Sequence, residues 1–357
     1  MKTSVKIGSA WGIPIELHLT FILLIVAVLG LSIYYNQIYS FILIVFLFVF
    51  VLFHELAHSV IARRYGIKVR KIILYPIGGV SEIEEIPENP RIEWRMAFAG
   101  PLTSLILGAV LVVINFVLPL KLIFAPSSIL ISTGNLLLDL GYLNLLLGAF
   151  NLLPAFPMDG GRVLRALLAE RMKFTDATKY ASYIGRILGI GMAFFGIVFP
   201  GYFLLIVVGV FVYVGASEEA EQTIVSTTLA SVRVKDVMQS EIGSVRPDET
   251  LSDAFEVMFK SKYHDVLVEK DGIFKGIVTW NEIIKIPKDQ RDSIKVEQLP
   301  VKSISTFPDE AVFEAYKLMT KEKIDLMPVV EKDTSTKVVG VLTSEAVASA
   351  YEKAKSR

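Results

Sequence analysis

From Ser40 to Leu52 the chain carries no charge, and it then enters Phe53-His54-Glu55-Leu56-Ala57-His58. With its flanks, about residues 40–62, this apolar stretch has the ~20 residues that a membrane-spanning helix needs. Two histidines four apart lie one above the other on the same helix face, so both imidazoles can reach one metal ion. Glu55 sits beside them, placed to take a proton from a metal-activated water. Ionisable groups at membrane depth are costly and mark functional sites.

Composition agrees with a membrane-embedded chain. Of 357 residues, 53% are hydrophobic, more than a water-soluble domain of this length carries. The apolar weight fills about 17–216, whereas 230–357 has ordinary soluble composition and most of the Lys and Glu. A membrane domain followed by a water-soluble one is expected. The net charge is zero and no basic stripe marks a nucleic-acid surface. With no Cys, disulfides, thiolate ligands and a cysteine nucleophile are excluded, and any metal must be held by His, Asp or Glu.

Six apolar segments can be drawn, at about 17–35, 40–62, 96–119, 129–150, 187–199 and 201–216. The last two are short and divided by Pro200-Gly201, which suits a tight helical hairpin or a re-entrant pair. Arg63, Arg64, Lys68, Arg70 and Lys71 follow the second segment, and Arg91 and Arg95 precede the third. A further basic group, Arg162 to Arg186, lies between the fourth and fifth, while the opposite loops carry only Lys121. With six spans, all these charges and both termini fall on one side, which the positive-inside rule makes cytosolic.

Val69 to Ile83 alternates, is rich in β-branched residues and is punctuated by Pro76 and Gly78-Gly79, so it reads as a bent strand or hairpin at the membrane face. Trp11 to His18 suits another short strand. The soluble half repeats itself: Ser244-Val245-Arg246-Pro247-Asp248-Glu249 aligns with Ser305-Thr306-Phe307-Pro308-Asp309-Glu310, and Gly276-Ile277-Val278-Thr279 with Gly340-Val341-Leu342-Thr343. Each copy reads strand, helix, strand, turn, strand, helix.

A catalytic zinc site needs three protein ligands and an open position for water. Asp159, in Asn151-Leu152-Leu153-Pro154-Ala155-Phe156-Pro157-Met158-Asp159-Gly160-Gly161, is the best third ligand. It follows the fourth span at the cytosolic side, and the histidines lie only about one to two helical turns, at ~1.5 Å per residue, from the basic cluster at Arg63. The two prolines break the helix there, leaving irregular backbone that a membrane tolerates only where it is buried or lines a cavity.

The His54-Glu55-x-x-His58 helix, with Asn151-x-x-Pro154 and Asp159-Gly160 after the fourth span, resembles the site-2 protease family of intramembrane zinc metalloproteases over about residues 1–216. The repeat resembles a tandem CBS-domain pair. The resemblance implies one zinc ion per chain on His54, His58 and Asp159, with Glu55 as catalytic base and Asn151 stabilising the oxyanion. It implies a single-span membrane-protein substrate; a helical substrate must first unwind, and the edge strand around Ile77-Gly78-Gly79-Val80 is placed to capture the extended segment by strand addition. Composition and the apolar segments make the chain a multi-pass protein of the cell membrane. The resemblance also implies an adenine nucleotide, ATP or AMP, at the CBS pair through Thr279, Glu282 and Thr343, and a homodimer through those domains. Glu282 stands where the CBS motif has Asp, and Ala346 lacks the carboxylate in the second copy, so two intact nucleotide sites are not expected.

The expected architecture is therefore a polytopic α-helical membrane protein with about six spans and short membrane-face strands, followed by a cytosolic α/β tandem CBS pair. Its parts are a metalloprotease domain at 1–218, a linker at 219–230, and CBS domains at 231–290 and 291–357. Plainer alternatives stand beside each assignment. Asp159 suits a turn, Asn151 can satisfy backbone freed by Pro154, Gly78-Gly79 suits a hairpin turn, and the CBS pair can serve dimerisation alone. His18 and His264 read as structural, and Glu82, Glu84 and Glu85 as a solvated face. The rival function is a CBS-regulated ion channel or transporter, and a catalytically dead scaffold is a third.

Overall fold

The computed structural model describes residues 3–83, 89–118, 133–199, 201–240, 243–261, 263–332 and 337–355. Lys121, Glu84, Glu85, Pro200 and the start of the fourth apolar segment lie outside them. The chain divides into two compact units, Met1–Glu221 and Gln222–Arg357.

The first unit opens on a four-stranded sheet, order β1-β2-β3-β4. Strands β1 (Ser4–Ala10) and β2 (Ile13–His18) are antiparallel, β2 and β3 (Val69–Tyr75) parallel, and β3 and β4 (Gly78–Ile83) antiparallel. The hairpin expected at 69–83 is present. At the other site the expectation needs correction: Trp11 and Gly12 form a turn between two strands, and Trp11 adopts a positive φ. Strand β1 is short and largely exposed, with Val5 and Ile7 pointing outward.

Helices α1 (Leu19–Tyr34), α2 (Ile38–Arg64), α3 (Pro90–Val117), α4 (Leu136–Asn151), α5 (Asp159–Ala169), α6 (Phe174–Val198) and the first part of α7 (Leu204–Ala230) complete the unit. His18 caps α1 by accepting from the Thr20 N–H, and it stacks on Tyr75. Helix α2 ends where Gly66 takes the left-handed conformation, φ 78°. Its N–H bonds Arg63 O and that of Ile67 bonds Ala62 O, which satisfies the last carbonyls of the helix. Arg63 and Arg64 occupy that last turn, where cations suit the helix dipole. Helix α3 begins at Pro90, with Asn89 capping it, so Arg91 and Arg95 lie in its first turns rather than before it.

Among the described residues three helices, α2, α3 and α6, are long and apolar enough to cross a membrane, while α1 and α4 are apolar but shorter. Of the hairpin and re-entrant pair expected at 187–216, the helical hairpin forms, with Gly189 of α6 packed on Gly209 of α7, but its arms are longer than the apolar segments. Residues 187–199 are the second half of the 25-residue α6, which already starts at Phe174. Its first half is amphipathic and buries Ala177, Thr178 and Ala181, so helix continues where average hydropathy falls. Helix α7 likewise runs past Ala216 to Ala230, through the segment read as a linker.

The second unit holds the repeats. The first contains β5 (Ser244–Val245), α8 (Leu251–Ser261), β6 (Asp265–Lys270), β7 (Ile273–Thr279) and α9 (Trp280–Ile283). The second contains α10 (Val312–Glu322), β8 (Leu326–Val330), β9 (Val338–Thr343) and α11 (Ser344–Lys355). In place of a first strand, the second copy makes a single parallel bridge from Thr306 to Val329. Strands β6–β7 and β8–β9 are antiparallel hairpins, and each buries a nearly continuous apolar run.

Candidate metal centre

His54 and His58 lie on the buried face of α2, toward α3. The first turn of α5 brings Asp159 to them. Its Oδ2 lies 3.0 Å from His54 Nε2 and 3.2 Å from His58 Nε2, and the three donor atoms all fall within 4.8 Å of one another. Zinc bound tetrahedrally to N and O ligands at about 2.0–2.1 Å sets its ligand atoms about 3.3 Å apart. The two His–Asp separations and the donor set, two imidazoles and a carboxylate, therefore fit the three protein ligands of a catalytic zinc site.

The outward ring nitrogens are also fixed. His58 Nδ1 is 2.7 Å from the Met96 carbonyl, to which it must donate, and His54 Nδ1 is 3.0 Å from Ser104 Oγ. The Met96 carbonyl can only accept, so it places a proton on His58 Nδ1 and leaves that Nε2 lone pair free for a metal; the Ser104 hydroxyl, which can accept or donate, is compatible with the same tautomer at His54. The two imidazoles face the Asp159 carboxylate directly. Its place at the N-terminus of α5 also suits an anion.

Helix α5 is itself anchored. Arg165, two turns beyond Asp159, is buried and donates through Nε to Glu93 Oε1 at 2.8 Å; its Nη1 lies 3.0 Å from Glu219 Oε1. Its guanidinium also sits over the rings of Phe156 and Phe174. One side chain thus ties α5 to α3 and α7.

The cluster opens on a cavity of about 520 Å³, lined also by Glu55, Gly78, Gly79, Ser81, Asn151 and Arg162. The candidate metal, catalytic and substrate residues of the first unit are therefore gathered around one space. Asn151 donates from Nδ2 to Leu147 O at 3.0 Å, which uses one of its two amide protons. Glu55 accepts from Ser81 Oγ at 2.8 Å. Ser81, Ser104 and Arg162 were not singled out as site residues. Ser104 and Gly100 lie on one face of α3, four apart, a pattern of small residues that signals close helix packing.

In the second unit, Thr279 and Thr343 are buried. Thr279 forms a capping box with Glu282, whose Oε2 accepts the Thr279 N–H at 3.0 Å. Thr343 Oγ1 accepts from the Ala346 N–H at 3.1 Å. All of these groups thus hold helix starts. His264 lies exposed, 3.1 Å from Asp325 Oδ2 and edge-on to Trp280.

A model of peptidase family M50 matches residues 42–192, and the CBS domain model matches 234–289 and 296–353. The chain is 40% identical over 292 residues to zinc metalloprotease MJ0392 of Methanocaldococcus jannaschii, across 82% of this chain and 83% of that one. The solved structure of a site-2 protease from Methanocaldococcus jannaschii is 44% identical and covers 61% of this chain and 95% of its own, with a TM-score of 0.47.

Proposed function

The chain belongs to peptidase family M50, the site-2 proteases, as a zinc metalloendopeptidase with tandem CBS domains, and from that premise we propose that it cleaves single-span membrane proteins within the bilayer. The channel reading is dropped, because the family and the named relative are metalloproteases. One observation carries the proposal: both histidine Nε2 atoms approach a single Asp159 oxygen, and Glu55 lines the same cavity.

His54, His58 and Asp159 hold the metal. Bound there, zinc supplies Lewis acidity toward the scissile carbonyl and acidifies a water. Glu55 removes a proton from the attacking water and delivers it to the leaving amine nitrogen. Asn151 turns its second amide proton toward the developing oxyanion, a contact worth on the order of 3 kcal/mol in comparable sites. A helical substrate must first unwind, because its amides are internally hydrogen-bonded. Strand β4 ends the sheet, so its outer edge offers backbone groups to an extended segment beside Gly78 and Gly79.

The helices of residues 1–218 form the membrane domain, with about six spans and both termini cytosolic. That orientation is supported by the basic residues at the end of α2 and the start of α3. The CBS domains, 231–290 and 291–357, lie in the cytosol, bind ATP or AMP near Thr279, Glu282 and Thr343, and regulate cleavage. Their pairing between two chains gives a homodimer.

The test uses purified full-length protein in lipid vesicles with a single-span substrate. Cleavage should stop on chelation and return with zinc. Cleavage indifferent to chelator, or ion flux without metal dependence, rejects the reading. Millimolar ATP or AMP that changes neither binding nor rate rejects the nucleotide role.

A further inference from the structure

We propose that Ser81 is a positioning residue that sets the geometry of the catalytic base, and that it does so from the strand on which substrate docks. This rests on Glu55 acting as the base. Glu55 has three side-chain torsions, so its carboxylate must be held if the proton it takes is to lie within hydrogen-bond reach. Two features of β4 hold it. At Gly79 an added Cβ would lie 3.2 Å from Glu55 Cδ and closer still to Cγ, so the glutamate's methylene rests on bare backbone. Two residues on, and on the same strand face, Ser81 Oγ donates to Glu55 Oε2 at 2.8 Å.

The direction of that proton is itself fixed. Ser59, one turn along α2 from Glu55 and fully buried, donates from Oγ to Ser81 Oγ at 3.2 Å. A hydroxyl that accepts from Ser59 keeps its own hydrogen for the carboxylate. The Glu55 backbone carbonyl is a poorer acceptor for it, at 3.4 Å. Ser59, Ser81 and Glu55 thus form a one-way relay that leaves Glu55 Oε1 for the reacting water.

The same strand is the terminal one of its sheet. A substrate segment added to that edge fixes the backbone that carries Gly79 and Ser81, so capture of substrate and alignment of the base share one element. The side-chain hydrogen bonds of Ser81 go to Glu55 and Ser59, not to a metal ligand, and it makes no chemical step of its own. Its loss should therefore reduce turnover without emptying the metal site.

The experiment measures kcat, KM and zinc per chain for full-length wild type, Ser81→Ala, Ser81→Thr, Ser59→Ala and Glu55→Gln in lipid vesicles with a single-span substrate. Ser81→Ala should lower kcat about 10- to 100-fold, the scale of a base displaced by ~1 Å, with KM within about twofold and zinc unchanged. Ser81→Thr, which keeps the hydroxyl, should turn over faster than Ser81→Ala, and Ser59→Ala should lose a few-fold in kcat. Unchanged kcat in Ser81→Ala, a loss confined to KM, a loss of zinc, or a threonine variant no faster than the alanine one overturns the inference while leaving Glu55 as the base. An active Glu55→Gln overturns the base itself, and the inference with it.

Discussion

Gly100 of α3 packs directly on the imidazole of His58: a Cβ built there would lie 2.6 Å from His54 Nε2 and closer still to His58 Nε2. No real Cβ tolerates such a distance, and the colliding atoms are those that must bind a metal. Gly100→Ala should therefore displace the ligand nitrogens and cut zinc content sharply, with cleavage lost in proportion. Metal analysis after dialysis at fixed free zinc checks this, and a fully loaded Gly100→Ala protein would contradict it.

Ser104 tests the same centre more gently. Replacing it with Ala removes the partner of His54 Nδ1 and frees the ring to turn. Outer partners of this kind are worth about 10- to 100-fold in metal affinity or activity. A zinc titration of Ser104→Ala should show a weakening in that range, and wild-type affinity would show that the contact does not orient the ring.

Arg165 holds α5 in place by pairing with two acids. Arg165→Met would leave Glu93 buried without its partner, while one of its oxygens, Oε2, already lacks a hydrogen bond. Breaking a buried pair from one side costs about 3–5 kcal/mol. Thermal unfolding in detergent should show a large loss for Arg165→Met and a smaller one for Arg165→Met with Glu93→Gln. Equal losses would mean that the charge pair is not what matters.

How far the sequence carries can be seen residue by residue. The i, i+4 spacing of His54 and His58 and the break at Pro154 and Pro157 are local patterns, whereas the approach of Asp159 to the two histidines is a tertiary contact. The hairpin at Val69–Ile83 is local too. Gly100 and the Met96 carbonyl are different, because their importance arises only where α3 crosses α2, and a backbone carbonyl has no residue identity to read. Ser81 looks like any polar strand residue until Ser59 and Glu55 are placed around it. The polar start of α6 hid half of a long helix, since hydropathy registers lipid contact and an amphipathic turn has none to register. Thr279 and Glu282 fit both a ligand motif and a capping box, two readings that the same residues satisfy equally.

In the second unit, burial pushes the Asp265 carboxyl up to about 6; hydrogen bonding from the Asp325 N–H opposes this and the Asp325 carboxylate adds to it. Its pKa when folded is above the ordinary value near 4, so the folded state binds more protons between about pH 4 and 6. Stability of this unit should therefore fall as pH rises through that window and stay lower above it. Asp265→Asn should remove that dependence and raise the unfolding free energy of the CBS unit at pH 7, by at most about 3 kcal/mol. An unchanged pH profile would show that the carboxyl titrates normally.

The most direct measurement is the cleavage rate of Glu55→Gln against wild type, both in lipid vesicles with a single-span substrate and both shown to carry one zinc per chain. Glutamine keeps the shape and cannot take the proton, so the rate should fall by about 10²- to 10⁴-fold with the metal still bound. A fully metallated Glu55→Gln protein that cleaves at the wild-type rate would contradict the assignment of this site.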